Sequence, residues 1–167
     1  ERQKKMLMVT NAGMYKPNRT PQGLYINNGI QSWGIDTVKH NGKGNFFDLP
    51  PNGIFTLDVN NYAQVITTDS FRTLDSAVVP TIKLATQSGP MLLINNEMNS
   101  YFQKGSPNLN IRNGVGVNNN GEVIFIISTR ISEDRGIRFR FVLDFENIYI
   151  VSNLSINNNS CVKSKLG

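Results

Sequence analysis

Apolar and polar positions alternate in short bursts along this chain, and most bursts end at asparagine or glycine. Residues 6–10 form an apolar run ending at Asn11-Ala12-Gly13, which predicts a strand entering a tight turn. Residues 23–26 turn at Asn27-Asn28-Gly29 into 30–33, and residues 54–59 turn at Asn60-Asn61 into 62–67. Both patterns predict antiparallel hairpins. Between them, residues 42–51 read as an ordered loop pinned by Phe46 and Phe47. Phe71, Leu74 and Val78 are spaced for one short helix or an irregular connection over 69–79, ended by Pro80. Residues 82–86 and 91–94 are short strand-like runs, the second turning at Asn95-Asn96. Residues 108–117 and 122–128 flank Asn118-Asn119-Asn120-Gly121, the clearest hairpin, with a second arm apolar enough for a doubly buried strand. Further on, 138–142 alternates Arg and Phe, 148–151 is apolar, and 157–167 is a polar tail. The predicted architecture is β-rich α+β in one domain spanning 1–167, with hairpins feeding one curved, mixed sheet and one or two helices.

Composition sharpens this picture. The charged fraction is 17%, below the usual roughly 25%, and Asn and Gly fill the difference. Both tolerate the positive φ angles of tight turns. The net charge of +5 favours anionic partners in general without naming one. Cys161 and His40 are the only residues of their types, so no internal disulfide and no Cys/His zinc pattern is available. No apolar run approaches the roughly 18 residues of a membrane span. No GxSxG surrounds any serine, and residues 118–121 lack the carboxylates of a calcium loop. Asn18, Asn153 and Asn158 fit the glycosylation acceptor pattern, which a chain this rich in asparagine meets by chance.

The stretch 108–117 concentrates the candidate chemistry: Arg112 among amides, followed by Gly114 and Gly116. Backbone bared by glycine, a forked cation and neutral amides suit an anionic oxygen, such as that of a phosphate or carboxylate. The same Gly-Val-Gly run also reads as a strand whose glycines permit close packing.

Residues 11–15 (Asn-Ala-Gly-Met-Tyr), 21–25 (Pro-Gln-Gly-Leu-Tyr), 44–47 (Gly-Asn-Phe-Phe), 51–55 (Pro-Asn-Gly-Ile-Phe), 85–92 (Ala-Thr-Gln-Ser-Gly-Pro-Met-Leu) and 112–117 (Arg-Asn-Gly-Val-Gly-Val) follow one another in an order that resembles a bacterial branch of the phosphodiester glycosidase family. The resemblance covers about 5–128, with 129–167 divergent. It implies hydrolysis of the bond between a sugar's anomeric carbon and a phosphate, on a small-molecule or glycan phosphodiester, without a cofactor or metal. It also implies a periplasmic or extracellular setting, although no signal peptide is visible in the chain as given, and it leaves oligomeric state open. By resemblance Arg112 and Asn11 are the catalytic candidates, with Gly13, Asn52, Gln87, Ser88, Gly89, Asn113, Gly114 and Gly116 as substrate-binding candidates.

The chain departs from that family at several points: members usually carry Gly where Ala12 stands and one or more strands before the segment equivalent to Glu1. Similar proteins also carry Leu-Asp-Gly at a strand end that counts onto Ser152-Asn153 or one residue later here; neither register supplies an Asp, and Asp144 arrives too early unless a helix is missing. Two further readings therefore stand beside hydrolysis. One is a non-catalytic module binding a sugar phosphate or nucleotide sugar. The other is a basic nucleic-acid binder using Arg130, Arg135, Arg138 and Arg140, although no named nucleic-acid motif surrounds them.

Overall fold

The computed structural model describes residues 10–38, 46–74, 77–102, 112–127 and 141–142. The run at 6–9, His40, the arginines at 130, 135, 138 and 140, the Ser152-Asn153 register and Cys161 lie outside them.

Turn chemistry builds the hairpins. Strands β1 (Tyr25–Asn27) and β2 (Ile30–Trp33) are joined through Asn28 and Gly29, both at positive φ (49° and 76°). That is the geometry matching the twist of a two-residue hairpin. Asn61, at φ 63°, turns β3 (Gly53–Asp58) into β4 (Ala63–Thr67). Helix α1 (Thr68–Arg72) follows directly, capped where Thr67 Oγ1 accepts the Ser70 N–H at 3.0 Å. Helix α1 is only one turn long and closes at Thr73, whose hydroxyl donates to the Ser70 carbonyl at 2.8 Å. Pro80 therefore does not end it; the proline sits in a separate 3-10 turn, Val79–Thr81. Strand β5 (Ile82–Ser88) comes next, then β6 (Leu93–Ile94) and β7 (Glu97–Met98) around the positive-φ pair Asn95 and Asn96. The last described strands are β8 (Asn113–Val117), β9 (Val123–Ile127) and β10 (Phe141–Val142).

These strands do not make one curved, mixed sheet. They form three open sheets ordered β2-β1-β5-β3-β4, β10-β9-β8 and β6-β7, and every described pairing is antiparallel. The physical reason is the connections: turns of two to five residues return a strand beside its predecessor, whereas parallel neighbours need a long crossover. The β-rich α+β character with hairpins stands.

Alternation along the central strands divides the core in two. Ile54 joins Leu24, Ile26, Phe71, Ile82 and Ala85 on one face of the five-stranded sheet. Phe55 and Leu57 join Ala63, Leu84, Val123 and Phe125, so the β8-β9 hairpin packs on the other face through side chains. The strand buried on both faces is β3, whose residues 53–57 are all buried. Strand β9 was the expected one, but only Val123 and Phe125 of it are buried. Its other face carries Ile124 and Ile126 opposite Gly116 and Gly114, which have no side chains to cover them.

Candidate functional site

The segment after Thr10 lies on the end of β5. A Cβ at Gly13 would stand 2.5 Å from Thr86 Oγ1 and 2.6 Å from the Gln87 carbonyl oxygen, so only a residue without a side chain fits. The chain then turns back on itself. Tyr15 bridges Pro21, and the Gln22 N–H donates to the Met14 carbonyl at 2.9 Å. Residues 11–25 thus form a loop and a first strand whose backbones face Thr86 and Gln87.

Gln87 holds this arrangement from below. It is 1% exposed, and its Oε1 accepts the backbone N–H groups of Leu24 and Asp36, each at 2.9 Å. Its Nε2 donates to the Asp36 carbonyl at 2.7 Å and to Thr68 Oγ1 at 3.0 Å. Those four bonds use both amide hydrogens and both lone pairs of the carbonyl, so the side chain ties β1, the 34–38 segment and α1 together. Gly23 is packed against it, since a Cβ there would overlap the Gln87 amide. Thr68 extends the chain of bonds, its hydroxyl donating to the Asn52 carbonyl at 3.1 Å.

Asn52 and Gly89 meet at the next step. Asn52 Oδ1 is buried without a hydrogen-bond partner among the described residues, and a Cβ on Gly89 would overlap it. The Gly89 Cα–H faces that oxygen, a weak contact that only glycine permits at this spacing. Ser88 is half-buried at the end of β5, opposite Gly53. Asn99 fastens the following strap, its Nδ2 donating to the Met91 carbonyl at 3.0 Å. No sequence pattern singled out Asn99, because its role is a buried turn contact.

A longer-range contact brings in β8. Asn113 Nδ2 donates to the Asn11 carbonyl at 2.8 Å and to Thr10 Oγ1 at 2.9 Å. The backbone of Asn11 is therefore bonded to the residue that follows the half-buried Arg112, although about a hundred residues separate them in sequence. Beyond them, Gly116 has no atom within 4 Å of where a Cβ would stand, and Gly114 meets only Leu92 Cδ1 at 3.9 Å.

Beside this junction is a shallow, open cleft, and of the candidates it is lined by Asn11, Gly13 and Gln87. Arg112, Asn52, Ser88, Gly89, Asn113, Gly114 and Gly116 do not line it. Tyr15, Tyr25 and Thr86 do, and sequence reasoning gave them no role, although both tyrosines stand in quoted motifs. Among the described residues no charged side chain lines the cleft. Among the described residues no three His, Cys, Asp or Glu side chains are grouped to hold a metal ion, and no helix is long and apolar enough to cross a membrane.

The family model described as phosphodiester glycosidase matches residues 4–145. A protein of Escherichia coli strain K12 named as the uncharacterized protein YigE is 36% identical over 121 residues, which is 72% of this chain and 44% of that protein. The chain thus spans less than half the length of that relative. No solved structure matches.

Proposed function

Because the chain belongs to the phosphodiester glycosidase family, we propose that it hydrolyses a sugar-1-phosphodiester, parting the anomeric carbon from the phosphate oxygen. The observation that carries this reading is the Asn113 carboxamide bond to the Asn11 carbonyl. It ties the backbone of Asn11 to the residue that follows Arg112, which supports placing the two candidates near one another. The leaving group of such a reaction is a phosphate monoester, whose second pKa of about 6 makes it stable as an anion near neutrality. Protonating it matters less than in an ordinary glycoside, where a carboxylic acid does that work. Preorganised donors that hold the developing charge supply the acceleration instead.

In this reading Arg112 grips the phosphate with its forked guanidinium. Asn11 presents its side chain to the reacting end, and Asn113 holds the backbone at Asn11. Gly114 and Gly116 leave the approach along β8 clear of side chains. Gln87 and the Asn52–Gly89 contact hold the β5 end that presents Ser88. Among the described residues those lining the cleft are all uncharged, so none of them is the base that activates water. That same observation favours a second reading, capture of a sugar phosphate without turnover.

The experiment is release of free sugar from a panel of sugar-1-phosphodiesters, including UDP-sugars, by the wild-type chain and by Arg112→Ala. The expected loss is on the order of 10²-fold or more, as for removal of one preorganised donor. Equal rates would remove Arg112 from the site. Intact ligand recovered from a measurable complex would favour capture.

A further inference from the structure

We propose that the outer face of the β8-β9 hairpin takes the apolar tail of an amphiphilic phosphodiester, whose leaving group is the phosphate of a lipid-like alcohol. This rests on the sugar-phosphodiester reading and names the leaving-group end of that substrate. Side chains alternate along both strands, with Val115, Val117, Val123 and Phe125 turned to the core. On the outer face Gly114 and Gly116 stand opposite Ile126 and Ile124. Among the described residues nothing lies within 4 Å of where a Gly116 Cβ would stand, and at Gly114 the neighbour is Leu92 Cδ1 at 3.9 Å. The result is a shallow trough with a backbone floor, edged by Ile124, Ile126 and Leu92. Strand β8 starts directly after Arg112, so the trough continues from the candidate phosphate grip.

Leu92 is 49% exposed and Ile126 37%, and neighbouring apolar side chains kept in water mark a surface with a ligand or partner. Leu92 is firmly held there. The buried Asn99 donates its backbone N–H to the Leu92 carbonyl at 2.9 Å and its Nδ2 to the Met91 carbonyl at 3.0 Å. Its Oδ1 accepts the Tyr101 N–H at 3.2 Å. One buried amide thus fixes both ends of the β6-β7 strap. On that hairpin Leu93 and Met98 are exposed cross-strand partners, while Glu97 lies opposite Ile94 on the alternate face. Charge selects the occupant. A cation at the head of a neutral apolar trough complements a molecule that is anionic at one end and apolar along its length. A second copy docked by the same face brings a cation to it. In hydrolysis of such a diester, water's oxygen joins the anomeric carbon and the electron pair of the broken C–O bond leaves with the phosphate. The lipid-like alcohol stays esterified in the monoester released.

The test titrates the full chain by calorimetry with methyl, butyl, hexyl and octyl phosphate, each below its micelle concentration. These monoesters stand for the product that would leave. Affinity is expected to rise about threefold per methylene, near what a buried CH₂ supplies, and Arg112→Ala should weaken binding of every member. Leu92→Asn and Ile126→Asn change exposed side chains, and each should weaken octyl phosphate by about fivefold or more relative to methyl phosphate. The urea midpoint of each variant checks that it is folded. Equal affinity across the series, or a rise that neither substitution reduces, would overturn the proposal. So would binding to neutral phosphatidylcholine vesicles without a rise across the soluble series, which would give the face to a bilayer. A dimer in sedimentation that Leu92→Asn dissolves would give it to a second copy and overturn the proposal as well. Hydrolysis of sugar-1-phosphodiesters with no rise would remove the tail site and leave the hydrolase reading intact. A rise with no hydrolysis of an octyl sugar phosphodiester would support the tail site and remove the hydrolase reading.

Discussion

Gln87 shows how one side chain can organise a site without meeting a ligand. Its four hydrogen bonds serve Leu24, Asp36 twice and Thr68, all inside the fold. Replacing it with leucine keeps the volume but leaves these partners facing an apolar group, and a buried polar group without a partner costs about 1–3 kcal/mol. Gln87→Leu should therefore lower stability by roughly 3 kcal/mol or more, read as a shift of the urea midpoint at unchanged slope. A loss below about 1 kcal/mol would mean that the partners find other bonds. The motif containing Gln87 was legible in the sequence, and its direction was not. A glutamine in an Ala-Thr-Gln-Ser-Gly-Pro run looks the same whether its amide faces outward to substrate or inward to backbone 51 and 63 residues away. Asn52 and Gly89 carry the same lesson, since their contact depends on two loop ends meeting.

At the scale of elements, the hairpins were the legible part, because each announces itself through local turn chemistry. Asn28-Gly29, Asn60-Asn61 and Asn95-Asn96 all mark observed turns. The sheet order was not legible: β1 lies beside β5 rather than beside β3, a pairing across more than fifty residues that no local pattern encodes. Burial of β9 was misjudged for a similar reason, since its exposed face depends on which residues oppose it. The glycines separate two kinds of constraint. Gly29 has open space around it but sits at φ 76°, so its demand is for backbone conformation alone. Gly116 has the same open space without a positive φ. Gly29→Val should cost about 1–2 kcal/mol, while Gly116→Ala should leave the urea midpoint near the wild-type value. Equal costs would show that the hairpin turn is not what fixes the β1-β2 register.

For the whole molecule, the two cores have separate consequences. One anchors α1 under the sheet, and the other seats the β8-β9 hairpin on the opposite face. Seating that hairpin carries Asn113 to Asn11 and so assembles the junction from which the function is inferred. The family was legible from ordered motifs, because six of them in register are far more specific than one. The cleft's uncharged lining was not legible, since it draws on three separate stretches of chain. The central claim is that this chain breaks the carbon–oxygen bond of a sugar-1-phosphodiester. The most direct measurement is hydrolysis in ¹⁸O-labelled water with mass analysis of the released phosphate monoester. Cleavage at the anomeric carbon predicts a monoester carrying no label from solvent. Label in the phosphate, or full recovery of the intact diester, would contradict the account.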